Sequence, residues 1–116
     1  MAYDEKLADR LRAAFKGRKG VEEKRMFGGI AFMLNGHMAC GVTGKKLMVR
    51  TGADAWESAL ERPHVMQMDF TGRSIVGMVF VEPAGCATQA QVAAWTDLAA
   101  KVALAKPPKG NPERNK

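Results

Sequence analysis

A chain of 116 residues, 47% hydrophobic and 26% charged, is large enough to bury a core without staples. It reads as one folded domain over residues 1–105, followed by a basic, proline-containing tail over 106–116 that is too polar to fold. The formal charge of +6 is unevenly spread: residues 1–25 hold eight Lys/Arg against five Asp/Glu, residues 26–100 five against six, and residues 101–116 five against one. The body is therefore nearly neutral, and two cysteines without C-x-x-C spacing exclude both a disulfide framework and a familiar zinc motif.

The first helix is predicted over about residues 4–15, where Leu7, Leu11, Ala14 and Phe15 recur at helical spacing. That start is amphipathic and acidic rather than a secretory signal, and no apolar run approaches bilayer length. A soluble cytoplasmic protein with reduced thiols is the expectation, with no membrane partner. Gly17 and Gly20 end the helix, and Lys16, Arg18, Lys19, Lys24 and Arg25 cluster around them. These five are the candidate phosphate contacts, although no aromatic residue interleaves to stack on bases, which favours a solvated basic loop.

A short strand near residues 22–26 leads into Met26-Phe27-Gly28-Gly29, two bulky groups followed by two residues without side chains. Paired glycines suit a bulge, a bend or a close approach of backbones, and a ligand held by the Gly28 and Gly29 amides is the less common alternative. Asn35-Gly36 lies between two apolar runs and calls for a type I′ hairpin turn. A two-residue turn sets Leu34 opposite His37, Met33 opposite Met38, Phe32 opposite Ala39, Ala31 opposite Cys40 and Ile30 opposite Gly41. One face then carries Ile30, Phe32 and Leu34, to be covered by helices. The other carries Ala31, Met33, Met38 and Cys40, to be covered by another part of the fold or a second copy.

The segment KRMFGG, its apolar strand, the N-G turn, a second strand and then Leu47-Met48-Val49-Arg50 resemble the N-terminal domain of TfoX-type (Sxy-type) bacterial competence regulators. The likeness follows the order of elements over about residues 4–105, and Met26 to Gly36 with Leu47 to Arg50 carry its specific part. Met48 and Arg50 stand where the family often reads closer to L-Y-L-K. The resemblance implies a small α+β domain and brings no catalytic motif or cofactor. Competence regulators of the family carry a second, C-terminal domain, so a stand-alone version of the first is expected here.

Further along, a Thr43-Gly44-Lys45 turn precedes a strand over 46–50, and residues 53–60 form a short helix stopped by Pro63, with Trp56 and Leu60 on one side. Residues 64–70 and 74–81 make a second hairpin around Thr71-Gly72-Arg73. Its second strand is apolar on both sides and belongs in the interior of a sheet. Thr88 and Gln91 form a capping box for a last helix that buries Val92, Trp95, Ala99 and Val102, with Leu98 alongside. The resulting class is α+β in two layers: an antiparallel sheet of five to six strands, helices mainly on one face, in the order α-β(4)-α-β(2)-α.

Reactive chemistry is sparse. Gly36 and Gly41 have phosphate-loop spacing, but Val42 stands where lysine is required. His37 and His64 are isolated and show no metal-ligand spacing. Cys86 precedes the last helix, where the dipole favours a thiolate, yet no base or oxyanion site accompanies it. The eight methionines serve first as core filler and second as an adaptable interface, so a homodimer is expected. The reading is a non-enzymatic interaction module without metal or cofactor. Its expected partner is a protein such as a component of the transcription machinery, in regulation of DNA-uptake competence. The alternative is nucleic-acid binding through the basic loop 16–25 and the tail.

Overall fold

The computed structural model describes residues 3–26, 28–70 and 73–105; Phe27, the Thr71-Gly72 turn and the 106–116 tail lie outside the described residues. Three helices and six strands follow the expected order: α1 (Glu5–Phe15), β1 (Val21–Met26), β2 (Gly29–Leu34), β3 (His37–Thr43), β4 (Lys46–Arg50), α2 (Gly52–Leu60), β5 (Val65–Phe70), β6 (Arg73–Val81) and α3 (Gln89–Leu104). The strands form one antiparallel sheet in the order β1-β2-β3-β4-β6-β5. The fold is α+β, and β6 lies inside the sheet, as its two-sided apolar sequence requires.

Local chemistry sets the ends of these elements. The Asp4 carboxylate accepts from the backbone N–H groups of Lys6 and Leu7 and caps α1. Thr88 and Gln91 close the capping box at the start of α3 in both directions. Asn35 and Gly36 have φ of 53° and 85°, the left-handed pair that a type I′ turn needs. The Asn35 N–H also donates to the Gly20 carbonyl at 3.1 Å, which anchors the hairpin tip to the end of the α1–β1 loop.

The hairpin register departs from the simple two-residue expectation. Leu34 faces His37 and Met33 faces Met38, but a bulge follows, so that Phe32 faces Cys40, Ala31 faces Gly41 and Ile30 faces Val42. The pairs Phe32–Ala39, Ala31–Cys40 and Ile30–Gly41 expected from the sequence do not form. One extra residue, Ala39, reverses the facing of everything beyond it. Cys40 and Val42 thereby join Ile30, Phe32 and Leu34 in one buried cluster, where the unbulged register would have offered those three little beyond small or polar partners.

All three helices pack on that face. The Phe15 ring of α1 stacks on Phe32 with centroids 5.4 Å apart. From α3, Val92, Trp95, Thr96, Ala99, Ala100 and Ala103 are buried, and the small side chains let the helix lie close over the sheet. Trp56, Ala59 and Leu60 of α2 join the same cluster, and the Trp56 indole N–H donates to the Met78 carbonyl at 3.1 Å. Each large side chain buried here contributes about 1.5–3 kcal/mol.

The opposite face has no helix on it. Ala31, Met38, Met48, Met68 and Met78 form a second buried cluster, with Met33, Ile75 and Phe80 packed partly against it. Gly41 is its floor: a Cβ there would lie 2.6 Å from the Met48 methyl and 3.2 Å from the Met38 methyl. Unbranched thioether chains fold over the sheet and onto each other, so this face is covered largely from within the chain. Met66 on β5 and Val76 on β6 are the large apolar side chains of the described sheet residues that stay exposed.

Candidate functional site

The five basic residues singled out in the sequence do not converge. Lys16 and Lys19 are exposed in the loop after α1. Arg18 reaches α3, donating to the Asp97 carboxylate at 2.5 Å and to the Ala14 carbonyl. Lys24 and Arg25 are neighbours on β1, an edge strand, so their side chains leave opposite faces of the sheet. A sixth cation, Arg12, clamps Glu23 with two hydrogen bonds of 3.0 and 3.1 Å and also holds Asp9. Its pKa is raised, first by the bond to Glu23.

The two glycines of the MFGG motif have different duties. Gly28 has φ of 71° and open space around it, whereas Gly29 is buried and a Cβ there would fall 1.8 Å from the Val42 carbonyl oxygen. The first therefore lets the chain turn, and the second lets β2 touch β3. Met26 pairs with Gly29 across β1 and β2, so these two residues close one end of that ladder, with the Asn35-Gly36 turn at the far end of β2.

Groups able to react are far apart or sealed. Burial pushes the Cys40 thiol up to about 12, with the Thr96 hydroxyl and the Arg18 charge pulling the other way. Cys86 is also buried; its thiol donates weakly to the Val81 and Glu82 carbonyls, and burial raises its pKa despite Arg10 nearby. The activation suggested by its place before α3 is thus opposed by desolvation. His37 opens β3, while His64 precedes β5 at the other end of the sheet, where Val65, Val81, Leu47 and Val42 form one row. Among the described residues no three His, Cys, Asp or Glu side chains gather to hold a metal ion.

The feature that sequence reading missed is a groove of about 640 Å³ where β4 leaves the sheet and α2 begins. Arg50, Thr51 and the first turn of α2 form one side, Val76 and Gly77 of β6 the floor, and Leu98, Lys101 and Val102 of α3 the other side. Thr51 donates its N–H to the Gly77 carbonyl at 2.7 Å, pinning the start of α2 against β6. The Arg50 guanidinium, half-buried, donates through Nε to the Met38 carbonyl, and burial lowers its pKa. The groove depends on β4 being shorter than β6, a matter of pairing that no local motif announces.

A single antiparallel sheet with three helices on one face and a double-glycine entrance to its first hairpin make a small α+β domain. Residues 13–103 match the TfoX N-terminal domain, and the chain belongs to that family. No match was found among curated proteins or among solved structures. No helix of the described residues is long and apolar enough to cross a membrane.

Proposed function

We propose that this chain is a non-enzymatic interaction module that binds a protein partner, in transcriptional regulation of DNA-uptake competence. The observation that carries the proposal is the family match over residues 13–103. The arrangement of the ionisable groups supports it: both cysteines are buried, the histidines lie at opposite ends of the sheet, and the basic residues are dispersed over α1, the following loop and β1. A module of this kind works through shape and surface, so its activity is lost by altering a contact face rather than by removing a nucleophile or a base.

Deletion of the gene in cells that take up DNA tests the reading. Transformation frequency should fall, transcripts of uptake genes should fall with it, and a plasmid copy carrying Cys86→Ala should restore both. Unchanged transformation and an unchanged transcript profile would overturn the regulatory role. Failure of the Cys86→Ala copy, with the protein folded, would overturn the non-enzymatic one.

A further inference from the structure

We propose that two copies of this chain pair edge to edge through β1, antiparallel about a two-fold axis at Glu23, so that their two sheets join into one. The surface is the open edge of the sheet, and the partner it fits is a second copy of the same chain.

The first observation is a straight, unused edge. β1 stands at one end of the strand order and pairs with β2 from Val21 to Met26 with no shift of register, whereas β5 at the other end is interrupted between Gln67 and Asp69. The Asn35 N–H reaches the Gly20 carbonyl on the β2 side, and backbone groups alternate sides along a strand. Glu22 and Lys24 therefore direct their N–H and C=O groups to β2, while Val21, Glu23 and Arg25 direct theirs outward. Among the described residues no turn, loop or cap takes up those outward groups.

The second observation is the order of the charges. In an antiparallel ladder outward groups face only outward groups, so a symmetric pairing has a residue on its axis. With Glu23 there, main-chain bonds are exchanged at Glu23 and between Val21 and Arg25, and Glu22 lies opposite Lys24 of the second copy. Glu22 and Lys24 are exposed, and neither joins an ion pair among the described residues. Two opposite-charge cross-strand pairs thus form from groups that stood bare. Glu23 meets its own copy, but each of these carboxylates is already held by two bonds from Arg12 of its own chain.

Other registers lack this match. An axis on Glu22 sets two bare carboxylates face to face, and an axis on Lys24 two bare ammonium groups. A charged edge repels most strands that approach it, and Glu22-Glu23-Lys24-Arg25 makes an exception for its own reversed copy in the Glu23 register. Five paired residues span about 17 Å. A contact of that length falls short of the roughly 1,200 Å² that a lasting complex buries, so the dimer is reversible and concentration-dependent.

The test uses the full chain. Sedimentation equilibrium from about 10 μM to 1 mM should show monomer passing to dimer, with the dimer weakened by high salt. Lys24→Glu and Glu22→Lys should each raise the dissociation constant by about tenfold, and the double variant, which exchanges the two charges, should return it to within about threefold of wild type. Mixing Glu22→Cys with Lys24→Cys in a glutathione redox buffer should form the mixed disulfide several-fold faster than either protein forms its own, because these opposed positions hold Cα atoms about 4.5 Å apart. The native thiols are buried and stay out of the exchange. A monomer throughout that range, a double variant as weak as the single ones, or a mixed disulfide no faster than the like pairs would overturn the proposal. A dimer indifferent to all the β1 changes would overturn it equally, since its contact would lie elsewhere.

Discussion

The double glycine offers the sharpest test of the structural reasoning, because its two members are held by different forces. At Gly29 an alanine Cβ would sit 1.8 Å from the Val42 oxygen, 2.9 Å from its carbonyl carbon and 3.0 Å from the Thr43 Cα. These are backbone atoms of the paired strand and cannot rotate aside. Restoring ordinary contact requires β2 and β3 to part by about 1.5 Å, which strains the core and stretches ladder hydrogen bonds, for a cost of about 3–5 kcal/mol. At Gly28 there is room, and the penalty is the left-handed φ of 71°. Alanine pays about 1–2 kcal/mol there and recovers part of it through a less flexible unfolded chain, a net loss of about 1 kcal/mol. Asparagine tolerates that region, so Gly28→Asn should be nearly neutral. Urea unfolding followed by circular dichroism should rank the proteins as wild type and Gly28→Asn, then Gly28→Ala, then Gly29→Ala. The melting temperature should fall by about 4 °C per kcal/mol lost. If Gly29→Ala were no less stable than Gly28→Ala, the close approach of β2 to β3 would not be the reason for the second glycine.

Three further outcomes follow from the same geometry. Burial pushes the Cys40 thiol up to about 12 against 9 for a free thiol, a pKa raised by folding, so its contribution should be complete below about pH 9 and disappear as the pH climbs toward 12, at up to about 1.4 kcal/mol per unit. Unfolding free energies measured across that window should fall less steeply for Cys40→Ala than for wild type, and parallel curves would refute the burial argument. Asp97 holds Arg18 in a pair whose carboxylate side is 71% exposed, so Asp97→Ala should cost less than about 1 kcal/mol in a urea titration; a loss of several would mean that this contact locks α1 to α3. Thr88→Ala removes the box at the start of α3 and should cost about 1 kcal/mol, while Thr88→Gly should cost only a few tenths, readable from the two denaturation midpoints.

The distinct roles of Gly28 and Gly29 also show why the hairpin entrance matters to function. A register error at this point would turn Ile30, Phe32 and Leu34 to the wrong face. With the bulge at Ala39 in place, α1, α2 and α3 share one face and the methionines close the other. The groove at the start of α2 then remains as an apolar recess with exposed Val76 on its floor.

Much of this was open to reading from residue order alone. The first helix with its Leu7, Leu11 and Phe15 stripe, the Asn35-Gly36 turn, the Thr88–Gln91 box, the interior place of the 74–81 strand and the MFGG resemblance are all settled by neighbours within a few positions. Local torsion preferences and period suffice for them. What only the tertiary structure decided involves atoms distant along the chain. Ala39 bulges because Cys40 and Val42 are drawn to a helix-covered face, the Arg18 charge is taken up by Asp97 on α3, and the Cys86 thiol is muted by burial. The groove exists because β4 stops at Arg50 while its partner strand runs on to Arg73. Each depends on which surfaces the packed chain brings together and how far each pairing extends, and periodicity carries no record of either.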